Sequence, residues 1–204
     1  MTVQIHEKIL TKAGINHLLE YMNKEDSYSL SSGVVKKQGF VWGKSDWPHK
    51  FLTQILHKVG VYTAPYSIFM TALDYQLTIH TDTLEGERCD KNIIIPLEVE
   101  EEAATVIFKN KWFGKTIALN HENKKDLDFL SNKPFNKKIY DKYLSNFEYE
   151  LLQGLEIEEI YHWRIGSVCV FDSQHMHTNA SLSKAKKAVN IWTIHNDKST
   201  TNET

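Results

Sequence analysis

Six short runs beyond residue 66 constrain this chain most: SIFMTALDYQLTIHTD, NIIIPLEV, ATVIFK, IEEIYHWRIG, SVCVFDS and AVNIWTIH. They are dense in Val, Ile, Phe, Tyr and Trp, which suit a pleated, half-buried surface, and polar or Gly-containing turns separate them. They predict a β core. The triplet Ile93-Ile94-Ile95 is apolar toward both faces of its strand. Such a strand has core on one side and helices on the other.

The first 62 residues can supply that helical layer. Ile9, Leu10, Ile15, Leu18, Leu19 and Met22 recur at roughly a helical period, interrupted near Gly14. A second helix is expected in SDWPHKFLTQILHKVG, with Pro48 in its first turn and Gly60 as its stop. Phe51, Leu52, Ile55, Leu56 and Val59 share one face of it. Between the two, GVVKKQGFVWG reads as an extended segment or hairpin. The expected class is mainly β with a helical layer. One domain fills residues 1–204: helices over 1–62, β core over 66–196 and a disordered tail over 197–204. A polar insertion over about 110–156, with a short helix around 138–153, reads as a lid or substrate-binding segment.

Composition excludes several function classes. A formal charge of -2 gives no electrostatic reason to expect nucleic acid or an anionic membrane as partner. No apolar run approaches the roughly 20 residues of a membrane helix, and MTVQIHEKIL lacks the core of a signal peptide. Cys89 and Cys169 have neither metal-site nor disulfide-framework spacing, so a cytoplasmic location is expected. Five Trp, nine Tyr and nine Phe suit a β-rich core or an aromatic-lined pocket.

His6, His17, His49, His57, His121 and His162 are accounted for one by one as surface or ordinary strand positions. His80 and Asp82, in QLTIHTDT, differ. Alternate residues of a strand project from one face, so an imidazole and a carboxylate share one space. His175 and His177 do the same in FDSQHMHTNA, with His177 lying 95 residues beyond Asp82 (177 − 82). Two His and one carboxylate from well-separated strands form the donor set of an open facial Fe(II) site, whereas structural zinc sites are closed and tetrahedral.

These residues, from about Tyr75 to Trp192, resemble the Fe(II)- and 2-oxoglutarate-dependent oxygenases on the double-stranded β-helix, or jelly-roll, fold. IHTDT resembles that family's H-x-D, NIIIPLE its next core strand, WRIGSVCVFDSQHMHTNAS the segment delivering the distal His, and KKAVNIWT the last core strand. The resemblance implies a jelly-roll core with the N-terminal helices packed outside. It implies Fe(II) on His80, Asp82 and His177, with 2-oxoglutarate and O2 as co-substrates. His175 then lies behind the ligands or in the substrate pocket.

The family's basic residue, some ten positions after the distal His, falls on Lys187, with Lys186 and Lys184 as stand-ins. Strand parity groups Lys187 with Val189, Ile191 and Thr193 on an expected inward face. Gln76 and Thr78 share parity with His80 and are expected to contact the co-substrate or substrate. Arg88, Lys91 and Asn92 lie where such enzymes gather 2-oxoglutarate or substrate contacts, but each reads first as a surface residue. Trp163 and Phe171 read as core, and Trp42, Trp47 and Trp112 as packing residues, with pocket lining as the alternative. The implied activity is hydroxylation of a small polar or amino-acid-like molecule, or a related desaturation or ring-forming oxidation, with release of succinate and CO2. A cupin-like metal enzyme without 2-oxoglutarate and a non-catalytic β-barrel binding protein are the alternatives.

Overall fold

The computed structural model describes residues 2–24, 29–31, 35–40, 46–73, 76–83, 89–99, 103–127, 131–180 and 186–195. Arg88, Trp42, Lys184 and the tail over 197–204 lie outside them. In chain order the main elements are β1 (Gln4–His6), α1 (Lys12–Lys24), β2 (Ser29–Ser31), β3 (Val35–Phe40), α2 (Asp46–Lys58), β4 (Ala64–Leu73) and β5 (Cys89–Glu98). There follow β6 (Ala104–Lys111), β7 (Ile157–His162), β8 (Val168–Asp172), β9 (His175–Ala180) and β10 (Lys186–Ile194). They form a large sheet in the order β1-β8-β5-β10-β4-β3-β2 and a small sheet in the order β7-β6-β9, with antiparallel pairing throughout.

Alternation sorts the large sheet's side chains between two environments. Ile93, Ile95, Leu97, Val168, Val170, Val189 and Ile191 join Ile68 and Met70 in a cluster with Leu18 and Met22 of α1 and Leu52, Ile55 and Leu56 of α2. The opposite face turns Ile94, Cys169, Phe171 and Ala188 toward Ile107, Tyr161 and Trp163. The isoleucine triplet is therefore buried on both sides for the two reasons its pattern implied. No helix among the described residues is long and apolar enough to cross a membrane.

The small sheet is covered by the chain's own insertion. Ala104, Val106, Phe108, Met176 and Ala180 pack with Leu119, Leu127, Phe135, Leu144, Leu151 and Leu152. The single helix expected around 138–153 is broken into a helical stretch at 137–144 and a turn at Tyr149–Leu152. Ser145 and Asn146 favour the break, and the Tyr140 hydroxyl closes it by donating to the Phe147 carbonyl at 3.1 Å. In β6 the pairing with β9 steps irregularly, so that Ile107 faces His177 but Lys111 faces His175. The intervening Lys109 and Asn110 turn away and bond 154–156, through Lys109 N to Glu156 O at 2.8 Å and Asn110 Nδ2 to Gly154 O at 3.3 Å.

Gly166, in the turn before β8, has φ +80, and a Cβ there would meet the Leu10 carbonyl oxygen at 3.0 Å. Its own carbonyl accepts from Ile9 N at 2.9 Å and Leu10 N at 3.0 Å, tying the entry of α1 to the β7–β8 turn. Gly166→Ala is therefore expected to lower stability by about 1–3 kcal/mol, measured as a shift in the urea midpoint at unchanged slope.

Candidate metal centre

Residues 76–83, expected as a strand, run beside β9 as an extended segment. His80 N donates to His177 O at 3.0 Å and His177 N to His80 O at 2.9 Å. On the other flank, Leu119 N donates to Ile79 O at 2.7 Å and Thr81 N to Ile117 O at 3.1 Å. Ile79 sinks into the cluster under the small sheet, so His80 and Asp82 turn the opposite way. On β9, Met176 and Ala180 take that same outer side, leaving His177 to meet His80 and Asp82 within the sandwich.

The three side chains converge. His80 Nε2 lies 3.5 Å from Asp82 Oδ1, and His177 Nε2 lies 3.2 Å from Asp82 Oδ2. The imidazole centroids are 4.4 Å apart, and one ligating atom from each of the three residues lies within 4.8 Å of the others. Both imidazoles are held in one tautomer: His80 Nδ1 donates to Thr78 O at 2.7 Å and His177 Nδ1 to His175 O at 3.1 Å. Each Nε2 therefore presents its lone pair to the common space, as metal-bound histidines require. Phe171 walls the site, its ring centroid 5.0 Å from that of His177.

A polar network ties the surrounding strands together. Asp172, at the end of β8, bonds Lys91 of β5 at 2.9 Å and Lys111 of β6 at 2.6 Å. Burial alone would push its carboxyl up, but the two ammonium groups hold it well below the usual carboxylate range. Three residues on, His175 is buried and donates from Nδ1 to the Phe108 carbonyl at 2.6 Å. Burial lowers its basicity.

The remaining expected site residues separate. Gln76 donates to the Tyr143 carbonyl at 3.2 Å, and the Thr78 side chain is exposed, its carbonyl serving His80. Lys187 does not face inward as parity suggested. Val189 and Ile191, on its side of β10, pack against the helices, and Lys187 pairs with Glu98 at 2.9 Å. Lys186 takes the interior face, 1 % exposed, with Nζ 3.9 Å above the Trp163 ring and no hydrogen-bond partner among the described residues. Burial pushes its ammonium down to about 7. Trp163 and Phe171 are core, Trp112 is partly buried, and Trp47 is half-exposed and stacked on Phe51.

No protein-family profile matches the sequence, and no curated protein does. Solved structures do match. A prolyl-4-hydroxylase of Pseudomonas putida superposes with a TM-score of 0.56 at 8% identity, covering 96% of this chain and 93% of that one. The non-heme alpha-ketoglutarate-dependent carbocyclase SnoK from nogalamycin biosynthesis gives 0.60 at 9% identity, covering 94% and 79%. HygX from Streptomyces hygroscopicus, solved with nickel and 2-oxoglutarate, gives 0.57 at 10% identity, covering 93% and 81%. The chain shares the antiparallel β-sandwich fold of these proteins.

Asp172 links this region to pH. Its folded-state pKa is depressed, so its ion pairs contribute stability above the ordinary carboxylate range and lose it as pH falls below that range. Asp172→Asn, which leaves Lys91 and Lys111 without that counter-charge, is expected to melt below the wild type at pH ~7, with the gap narrowing as pH falls from ~4 toward ~2. Thermal unfolding across that range checks this.

Proposed function

We propose that this chain is an Fe(II)- and 2-oxoglutarate-dependent oxygenase that hydroxylates a small polar molecule, with His80, Asp82 and His177 as the metal ligands. The observation that carries this is the convergence of the three side chains with both imidazoles locked as Nε2 donors. The strand order supports a double-stranded β-helix. β4, β10, β5 and β8 supply four strands of one sheet, while β7, β6, β9 and the segment around His80 supply four of the other.

The residues fit the co-substrate as well as the metal. An uncompensated ammonium in a protein interior is costly unless something pairs with it. Lys186, buried and without a hydrogen-bond partner among the described residues, fits the far carboxylate of 2-oxoglutarate and takes the anchoring role instead of Lys187. A lysine meets a carboxylate as a point charge, without the fork of an arginine.

Iron with 2-oxoglutarate, when bound, supplies oxygen activation and the oxidation of a substrate C–H bond, with succinate and CO2 as by-products. The chain's part is to keep three donors on one face, neutralise the distal carboxylate through Lys186 and keep water from the interior with Phe171 and the buried β9. A small-molecule substrate is supported by two neighbours of the same fold. HygX has been solved with hygromycin B, and the epimerase SnoN with alpha-ketoglutarate and nogalamycin RO. Retention of Asp82, which fills the position halogenases of this family leave small, favours hydroxylation. Cys89 and Cys169 are buried as thiols, which suits the reducing cytoplasm.

Fe(II) and 2-oxoglutarate, added together without oxygen, are expected to give a weak visible charge-transfer band that needs both and is lost in Asp82→Ala. Its absence from folded wild-type protein would sink the proposal. Lys186→Met is expected to bind 2-oxoglutarate at least ~10-fold more weakly while sparing the metal, with Lys187→Met unchanged in both. The same Lys186→Met should raise the melting point of the ligand-free protein. Because the folded-state pKa lies near 7 against 10.5 for an ordinary lysine, that gain is largest at or below pH 7 and fades as pH rises toward 10.5. A cupin-like enzyme without 2-oxoglutarate predicts metal binding but no band and no succinate.

A further inference from the structure

We infer that Asn92 is a positioning residue of the metal centre, holding Asp82 by one carboxylate oxygen so that the other is left as the better donor to the metal. This rests on the reading of His80, Asp82 and His177 as ligands. Asn92 stands on β5 immediately before the isoleucine triplet, in register between Phe171 of β8 and Trp192 of β10. It is 2 % exposed. An apolar residue would serve packing there at no desolvation cost, whereas a buried amide must find partners.

Those partners are the candidate ligands. Asn92 Nδ2 lies 2.5 Å from Asp82 Oδ2 and 3.4 Å from His177 Nε2. An ionised carboxylate only accepts hydrogen bonds, so the nitrogen end of the amide must face Asp82. His177 spends its Nδ1 hydrogen on the His175 carbonyl, so its Nε2 is likewise an acceptor toward Asn92. One amide nitrogen thus spans two ligands that lie far apart in the sequence.

The consequence is a division of labour within Asp82. Its Oδ2 is engaged by Asn92, which draws electron density from that oxygen, while its Oδ1 faces His80 Nε2. When a metal takes the Nε2 lone pairs, the Asn92–Asp82 bond remains and fixes the rotation of the carboxylate. The other end of the amide, Asn92 Oδ1, is buried with no hydrogen-bond partner among the described residues. It offers a fixed acceptor to a donor bound at the site.

Co(II), a spectroscopically visible stand-in for Fe(II), provides the test without turnover. Asn92→Ala and Asn92→Leu are titrated with Co(II) beside the wild type and Asp82→Ala, each checked for folding by circular dichroism and melting point. Loss of an outer hydrogen bond to a ligand is expected to weaken Co(II) binding about 10–100-fold in both Asn92 variants. The visible Co(II) bands should also change as the freed carboxylate reorients. Asn92→Leu keeps the bulk and removes the donor. If it binds Co(II) with wild-type affinity and spectrum, Asn92 only packs and the inference fails, whatever Asn92→Ala does. If Asn92→Leu does not fold, Asn92→Ser, too short to span to Asp82, is titrated in its place and decides by the same two readouts. Wild-type protein that binds no Co(II) overturns the reading of the centre itself.

Discussion

Two backbone hydrogen bonds between His80 and His177 make the site possible. They form a closed antiparallel pair, so the two residues sit side by side with both side chains on one face. Each imidazole is then fixed by the carbonyl two residues before it in its own strand, Thr78 for His80 and His175 for His177. Both locks use main-chain atoms, so they depend on extended backbone and not on which side chains stand at 78 and 175. A metal site usually needs outer partners to orient its histidines; here the strand geometry that brings the histidines together also supplies them.

Rigid surroundings hold this pair in place. The large sheet is braced by α1 and α2, and the small sheet by the insertion that wraps its outer face. Between the sheets, Asp172 reaches Lys91 on one and Lys111 on the other. A partly buried carboxylate with two ammonium partners is worth more than an exposed ion pair, because water screens it less. It sits at the turn that launches β9, three residues ahead of His175, where a shift of the strand would move His177.

What was legible in the sequence follows from periodicity. The spacing of His80 and Asp82 put them on one side, and the helical stripes of Leu18 and Met22, or of Leu52 and Leu56, face the sheet as their period implied. Lys186 and Lys187 were not separable that way. Val189 and Ile191 mark an apolar face of β10, but in a sheet covered by helices an apolar face can meet the helical layer as well as the interior, so they could not reveal which of the two theirs was. Asn92 was hidden for a related reason: a polar residue at a strand start reads as surface until its partners, Asp82 and His177, are brought beside it by the fold. The break at Ser145–Asn146 depends on a bond between Tyr140 and Phe147 that no local pattern announces.

The irregular step in β6 bears on how this architecture can vary in length. Five residues of β6, from Ile107 to Lys111, lie opposite three of β9, from His177 to His175. The excess is even, so the residues beyond it keep their inside–outside assignment, and the surplus pair is stitched to 154–156. A one-residue slip that no bulge absorbs would turn every later side chain of that strand over, exchanging core for solvent. Single-residue steps in β4, β5 and β7 are taken up by local irregularities of this kind, whereas the two-residue step in β6 needs no such adjustment and leaves His177 facing inward.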